Sequence, residues 1–260
     1  MPTFFCKPYE LPPCGLFTVG HLVLFLATAL LIGVGLWCSR HMSEKQVRLT
    51  VRISTATLWV LELCKILFVL IVTRSSNPND FIPLYYCSLI LYAGLLSSVG
   101  QGTVRRIGDV FIATGGLVGG ICFLCCPNTS LPRYPTWHFI SLHSFLLHGL
   151  MVYLGLLLLL RLYRPQLKDL KLCAGLVSVM CVLSLAFNLI WDGAHPMGPE
   201  ANLMFMSHDF PGTPITVLYR LTGVTFPLFM WLIQAFLPFL GVFGLCRALE
   251  AIQRKRRNKI

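Results

Sequence analysis

Residues 137–160 read WHFISLHSFLLHGLMVYLGLLLLL, a run from Trp137 to Leu160 without a single Asp, Glu, Lys or Arg. About 20 mainly apolar residues, rising about 1.5 Å each, cross the hydrocarbon of a bilayer as a helix. This run meets both conditions and predicts a transmembrane span. The same pattern returns on either side of it. Gly15–Trp37, Val51–Val72, Pro83–Gly102 and Gly108–Cys126 precede it, and Leu170–Trp191 and Leu221–Cys246 follow. The chain therefore reads as all-α and polytopic, a bundle of about seven transmembrane helices. Residues 1–247 form one transmembrane domain and residues 248–260 a basic tail.

Composition agrees. Only 12% of the 260 residues are charged, against about 25% in ordinary soluble proteins, and the mean hydropathy is +0.74. A soluble surface needs more charge than that, whereas a surface facing lipid does not. The first run lacks the basic leader and small-residue cleavage site of a signal peptide, so it counts as a span. Gly115, Gly116, Gly119 and Gly120 crowd the fourth, where small residues let helix backbones approach closely. Pro227 and Pro238 predict kinks in the last. The 11 cysteines lie mostly inside apolar runs, where they behave as small hydrophobes. Cys6 and Cys14 precede the first span and are candidates for pairing with each other.

The net charge of +11 does not indicate nucleic acid, because the charges lie in short segments between apolar runs. The first, third and fifth loops and the tail carry Arg40, Lys45, Arg48, Arg52, Arg105, Arg106, Arg161, Arg164, Lys168, Lys171, Arg247, Arg254, Lys255, Arg256, Arg257 and Lys259. The N-terminus and the remaining loops carry only Lys7, Arg74, Arg133 and Arg220. Loops rich in Lys and Arg stay in the cytoplasm. The tail is thus expected inside and the N-terminus outside, as an odd number of spans requires.

Polar residues inside a membrane are expensive and mark candidate sites. Glu62 and Lys65 stand three apart on one face of the second span, as a neutralising pair, a head-group site or a proton path. His148 lies about 12 residues into the fifth span, near mid-bilayer, on the face of Ser141 and Ser144. His143 lies nearer the outer face, and His138 reads as a packed interfacial residue. Cys87 is placed just over a turn inside the third span, whose first turn Pro83 suits. The free N–H groups there favour negative charge. Cys122 and Cys125 form one CxxC without a second half, a poor metal site in an apolar helix. The outer loop after Asn188, Trp191 and Asp192 reads as solvated, with a divalent-cation site as the alternative, and Asn128-Thr129-Ser130 forms a glycosylation sequon in the outer loop between the fourth and fifth spans. No metal site and no cofactor is assigned.

Several of these pieces occur in a familiar order. Glu62, Ile82-Pro83-Leu84-Tyr85-Tyr86-Cys87, the Gly-rich fourth span, Phe145-Leu146-Leu147-His148-Gly149, Asn188 and Asn202-Leu203-Met204-Phe205 resemble the motifs of the YwaF-type family of multi-pass membrane proteins. That family is similar to a eukaryotic transmembrane acyltransferase acting on ether phospholipids. It is more remotely similar to the androgen-induced-gene group of intramembrane lipid hydrolases. The match departs from the family in two ways. Asn188 and Asn202 are 14 residues apart rather than about six, and the family's histidine before the cysteine is a tyrosine here. The resemblance implies acyl transfer or acyl-ester hydrolysis on membrane lipids, with Cys87 as nucleophile and His148 as base. His143 is the substitute base, Glu62 and Lys65 orient the head group, and Asn188 or Asn202 donates to the oxyanion. The hydrolases' threonine has no assured match. The alternative is a transporter or lipid-binding protein that uses Glu62, Lys65 and His148 without covalent chemistry. A third reading is a receptor or assembly partner whose contact surface is the outer loop Asp192–Arg220.

Overall fold

Helices begin where a side chain can take their first free amides. In the computed structural model, which describes residues 4–257, Thr18 accepts from the His21 amide at the head of α1 (Val19–Cys38). Ser43 and Gln46 close a capping box at the head of α2 (Glu44–Phe68). α2 runs on through a π-turn, Val69–Thr73, to Arg74 in the left-handed conformation. Then come α3 (Pro78–Phe81), α4 (Leu89–Val99), α5 (Gly102–Phe111), α6 (Leu117–Cys125), α7 (Phe139–Arg161), α8 (Leu170–Ala194), α9 (Pro214–Thr222) and α10 (Phe226–Arg257). A second π-turn, Ile112–Gly116, joins α5 to α6. No strand occurs among the described residues. Lys259 of the basic tail lies outside them.

Six helical segments of the described residues are long and apolar enough to cross a membrane: Val19–His41, Glu44–Thr73, Gly102–Cys125, Phe139–Arg161, Leu167–Ala194 and Pro214–Arg256. The chain is an integral multi-pass membrane protein. The predicted span Pro83–Gly102 differs, because only its second half is helical. Ile82 precedes a proline and is held extended, at φ −85° and ψ 118°, away from the helical region. The chain then turns through Tyr85–Ser88 and becomes helical only at Leu89. Cys87 therefore precedes the helix instead of lying inside it. The Tyr92 hydroxyl donates to the Pro83 carbonyl at 3.2 Å, partnering one carbonyl of the irregular stretch. α4 runs antiparallel to α2: the Arg52 Nε donates to the Ser98 carbonyl at 3.1 Å and the Trp59 Nε1 to the Leu91 carbonyl at 3.3 Å. α4 thus begins about halfway along α2. Irregular backbone at such depth persists where protein buries it or it lines a cavity.

The α5–α6 span is the centre of the bundle. Of its most apolar stretch 78% is buried, against 17% for α1. It packs against α4, α7 and α10, while α1 lies on α7 and α8 on α10. The outer faces keep Leu26, Leu30, Val182 and Leu189 exposed, as lipid contact allows. Close approach of α6 to α7 rests on Gly120. A Cβ there would lie 2.8 Å from Val152 Cγ2 and 3.0 Å from the His148 carbonyl oxygen. Gly120→Ala is expected to destabilise by about 1–3 kcal/mol, read as a lower unfolding temperature in detergent. An unchanged melt would show that α7 can retreat without cost.

The basic loops gather at one end. Arg161 donates to the Arg40 and Met42 carbonyls at 2.7 and 2.6 Å. Arg48 meets both Asp109 oxygens at 2.8 Å, and Ser97 adds a hydrogen bond to Asp109 at 2.6 Å. Arg106 grips Asp169 bidentately at 2.8 and 2.9 Å, while the Tyr163 hydroxyl donates to the same carboxylate at 3.0 Å. Burial first, and the Asp169 carboxylate behind it, push the Tyr163 phenol well above its ordinary range, so it stays a donor. Asp169 is 1% exposed. Tyr163→Phe leaves Arg106 in place and is expected to cost about 1.5 kcal/mol, the low end for a hydrogen bond to a charged group. A melt within 1 °C of wild type would remove Tyr163 from this lock.

The remaining loops meet at the opposite end. Arg133 pairs with Asp80 at 3.3 Å, and the Asn202 amide donates to Asn79 at 2.7 Å. The first, third and fifth loops thus meet at one end and the second, fourth and sixth at the other, with irregular chain and the shorter apolar helix α4 linking the second loop to the third. Two sequence expectations are corrected. Pro227 sits in the first turn of α10, where its missing N–H costs nothing and breaks no helical hydrogen bond, whereas Pro238 lies inside the helix. Cys6 and Cys14 are free thiols, and the Cys14 Sγ lies 3.2 Å from the Thr18 hydroxyl.

Candidate functional site

The irregular turn ahead of α4 opens onto a cavity of about 1390 Å³, larger than the roughly 300–1,000 Å³ of ordinary small-molecule pockets. It reaches from Asp80 and Arg133 at the loop end to Pro238 and Gly241 on α10. Glu62, Lys65, Cys87, His143 and His148 all line it. The sequence reading therefore named five residues, from three separate stretches, that share one cavity wall.

α2 supplies the charges. Lys65 Nζ lies 2.6 Å from Glu62 Oε1, and Glu62 is 2% exposed. α6 arranges Cys87 and His148. The Cys87 thiol points at the Gly119 carbonyl at 3.8 Å. The His148 ring stacks on Phe123 with centroids 3.6 Å apart and planes 8° from parallel. Gly119 and Phe123 are four apart on one face of α6. Cys87 and His148 thus sit along the same face about one helical turn apart, roughly 6 Å of rise.

The histidine's tautomer follows from its partner. His148 Nδ1 lies 2.7 Å from the Ser144 carbonyl. A carbonyl only accepts, so Nδ1 carries the proton and Nε2 is left with a free lone pair. His143 is 5% exposed and neither ring nitrogen has a partner in the protein. Gln234 donates through Nε2 to the Met204 carbonyl at 3.0 Å, but its Oε1 is unpartnered, as is the Tyr86 hydroxyl. Both residues line the cavity. Buried polar groups are rarely left so, and together they offer a polar ligand several contacts in an otherwise apolar chamber. Among the described residues the backbone amides of Tyr85, Tyr86, Cys87 and Ser88 also find no acceptor. Ser88, at the N-cap of α4, makes no side-chain cap.

Asn188 and Asn202 are placed elsewhere. The Asn188 amide donates to the Leu203 carbonyl at 3.2 Å and the Ser207 hydroxyl at 2.9 Å, and accepts from the Leu203 amide at 3.0 Å. Asn202 donates to the His208 and Asp209 carbonyls at 2.9 and 3.3 Å and accepts from the Ser207 and His208 amides. Both side chains brace the loop after α8, and neither lines the cavity. His138 caps α7 through Nδ1 and bonds the Cys6 carbonyl through Nε2 at 3.1 Å. Sequence reasoning passed over Tyr86 and Gln234. Gln234 carried a usable signal, being a polar residue inside the predicted span Leu221–Cys246. Tyr86 carried none, since a tyrosine at a membrane interface is ordinary.

The sequence model of the TMEM164 family matches residues 16–245. No curated protein and no solved structure matches the chain.

Proposed function

The chain belongs to the TMEM164 family, a family of transmembrane proteins, and from that premise we propose that it transfers or hydrolyses acyl esters of lipids inside the membrane. The observation that carries this reading is the placement of a cysteine thiol and an imidazole with a free Nε2 on one face of α6, in a lipid-sized cavity.

The chemistry would run as follows. The Cys87 thiol turns from the Gly119 carbonyl and gives its proton, through one bridging water, to His148 Nε2. The thiolate attacks the ester carbonyl, forming a C–S bond and a tetrahedral oxyanion. The uncommitted amides of Tyr85–Ser88 are free to donate to that charge, a role that Asn188 and Asn202, occupied in the loop, do not fill. Collapse breaks the C–O bond, and the leaving alkoxide takes the proton from His148. An acceptor hydroxyl or water then attacks the thioester, passing its proton to His148. The expelled thiolate takes that proton back, and the ester or acid is released. Apolar walls suit acyl chains, and the polar mouth at Asp80 and Arg133 suits a head group.

The direct test uses purified protein and a phospholipid carrying a labelled acyl chain. A hydroxylamine-labile adduct on the peptide bearing Cys87 is expected. Tight lipid binding with no adduct would replace acyl transfer by non-covalent lipid binding.

A further inference from the structure

Arg52 and Arg105 differ from Arg48, Arg106 and Arg161 at the basic end. Arg48, Arg106 and Arg161 are committed to carboxylates or carbonyls through their terminal nitrogens. Arg52 and Arg105 form no ion pair among the described residues. Each is instead held by Nε: Arg52 on the Ser98 carbonyl at 3.1 Å, Arg105 on the Gly100 carbonyl at 3.0 Å. Both guanidinium groups are thereby pinned to the end of α4 with their terminal nitrogens unpartnered. They share a second cavity, about 490 Å³, between α2 and α4.

The rest of that cavity is apolar on one side and polar at the rim. Ala56, Trp59 and Leu95 form the wall, and no carboxylate lines it. Leu95 is 41% and Val99 79% exposed, so the wall continues onto the hydrocarbon-facing surface. Gln101 joins the rim as the N-cap of α5, with no side-chain cap for that helix's first amides. Two fixed guanidinium forks and a helix start suit a phosphate. A wall continuous with the bilayer suits the acyl chain attached to one.

We propose that this groove is a binding site for an anionic phospholipid, with its phosphate held between Arg52 and Arg105 and a chain laid along Trp59 and Leu95. Basic pockets between helices take such head groups on the cytoplasmic side, where the charge distribution places this end. The site lies apart from the cavity of Cys87 and does not depend on any acyl chemistry there.

The test is the unfolding temperature of detergent-purified protein with phosphatidylserine, phosphatidylcholine or inorganic phosphate added. Wild type is expected to be stabilised by phosphatidylserine alone. The double variant R52Q/R105Q is expected to bind it about thirtyfold more weakly, at about tenfold per 1.4 kcal/mol for two surface-type charges. Because those arginines also hold α4, a second variant, A56F, fills the groove from an exposed position and leaves both charges intact. It too is expected to lose the shift. Equal stabilisation by phosphatidylcholine would make the effect generic, and an equal shift with inorganic phosphate would make the ligand a free ion. Either result overturns the proposal, as does absence of a wild-type shift or its persistence in either variant.

Discussion

Cys87→Ala is expected to lose acyl transfer by at least about 10³-fold, as removal of a catalytic nucleophile does, and to lose the hydroxylamine-labile adduct entirely. The side chain packs at the edge of the main core, but it is small, and alanine keeps its Cβ. Its single hydrogen bond is a weak thiol contact of 3.8 Å to Gly119, and it lies in an irregular turn rather than within α4. Loss of activity should therefore come without a large change in unfolding temperature. Cys87→Ser keeps a hydroxyl of nearly the same size in place. It should remain folded and transfer far more slowly than wild type, because an alcohol is the poorer nucleophile without stronger base assistance. Cys122 is the internal control, since it lines the same cavity from α6. Retained transfer in Cys87→Ala with loss in Cys122→Ala would move the nucleophile and sink the assignment.

His148→Gln is expected to slow acylation by about 10²–10⁴-fold, the usual contribution of a positioned general base. Glutamine can still donate to the Ser144 carbonyl as His148 Nδ1 does, but it offers no basic nitrogen. Lipid affinity should change little, which separates a chemical role from a binding role. His143→Gln provides the comparison. His143 lines the same chamber with both nitrogens free, but it stands five residues from His148 and lacks the stacking on Phe123 that holds His148. Single-turnover acylation, followed by the labelled thioester, distinguishes the two. If His143→Gln shows the large loss and His148→Gln does not, the base is His143.

Much of this was legible along the chain. Trp137–Leu160 and its neighbours announce spans because bilayer thickness fixes how many apolar residues a helix needs. The loops sort by charge, and the structure gathers them at two ends in the same order. Glu62, Lys65, His143 and His148 stood out because a polar side chain in an apolar run is costly wherever the fold puts it. These are local properties, readable from composition and spacing.

The rest depended on partners far away in sequence. Pro83 marked a helix start by rule, yet the helix waits until Leu89, because the turn before it is supported by Tyr92 and opens onto the cavity. Asn188 finds its partners 15 and 19 residues on, so the loop, and not an oxyanion, claims its amide. Arg106 and Asp169 meet across 63 residues. Cys87 and His148 come to the same wall only because α6 presents Gly119 and Phe123 on one face, one to each. Sequence alone determined which segments enter the membrane and which polar groups enter with them, since transfer into lipid is decided residue by residue. The tertiary structure decided which of those groups share a cavity, since hydrogen bonds and stacking are settled only between side chains that packing has brought together.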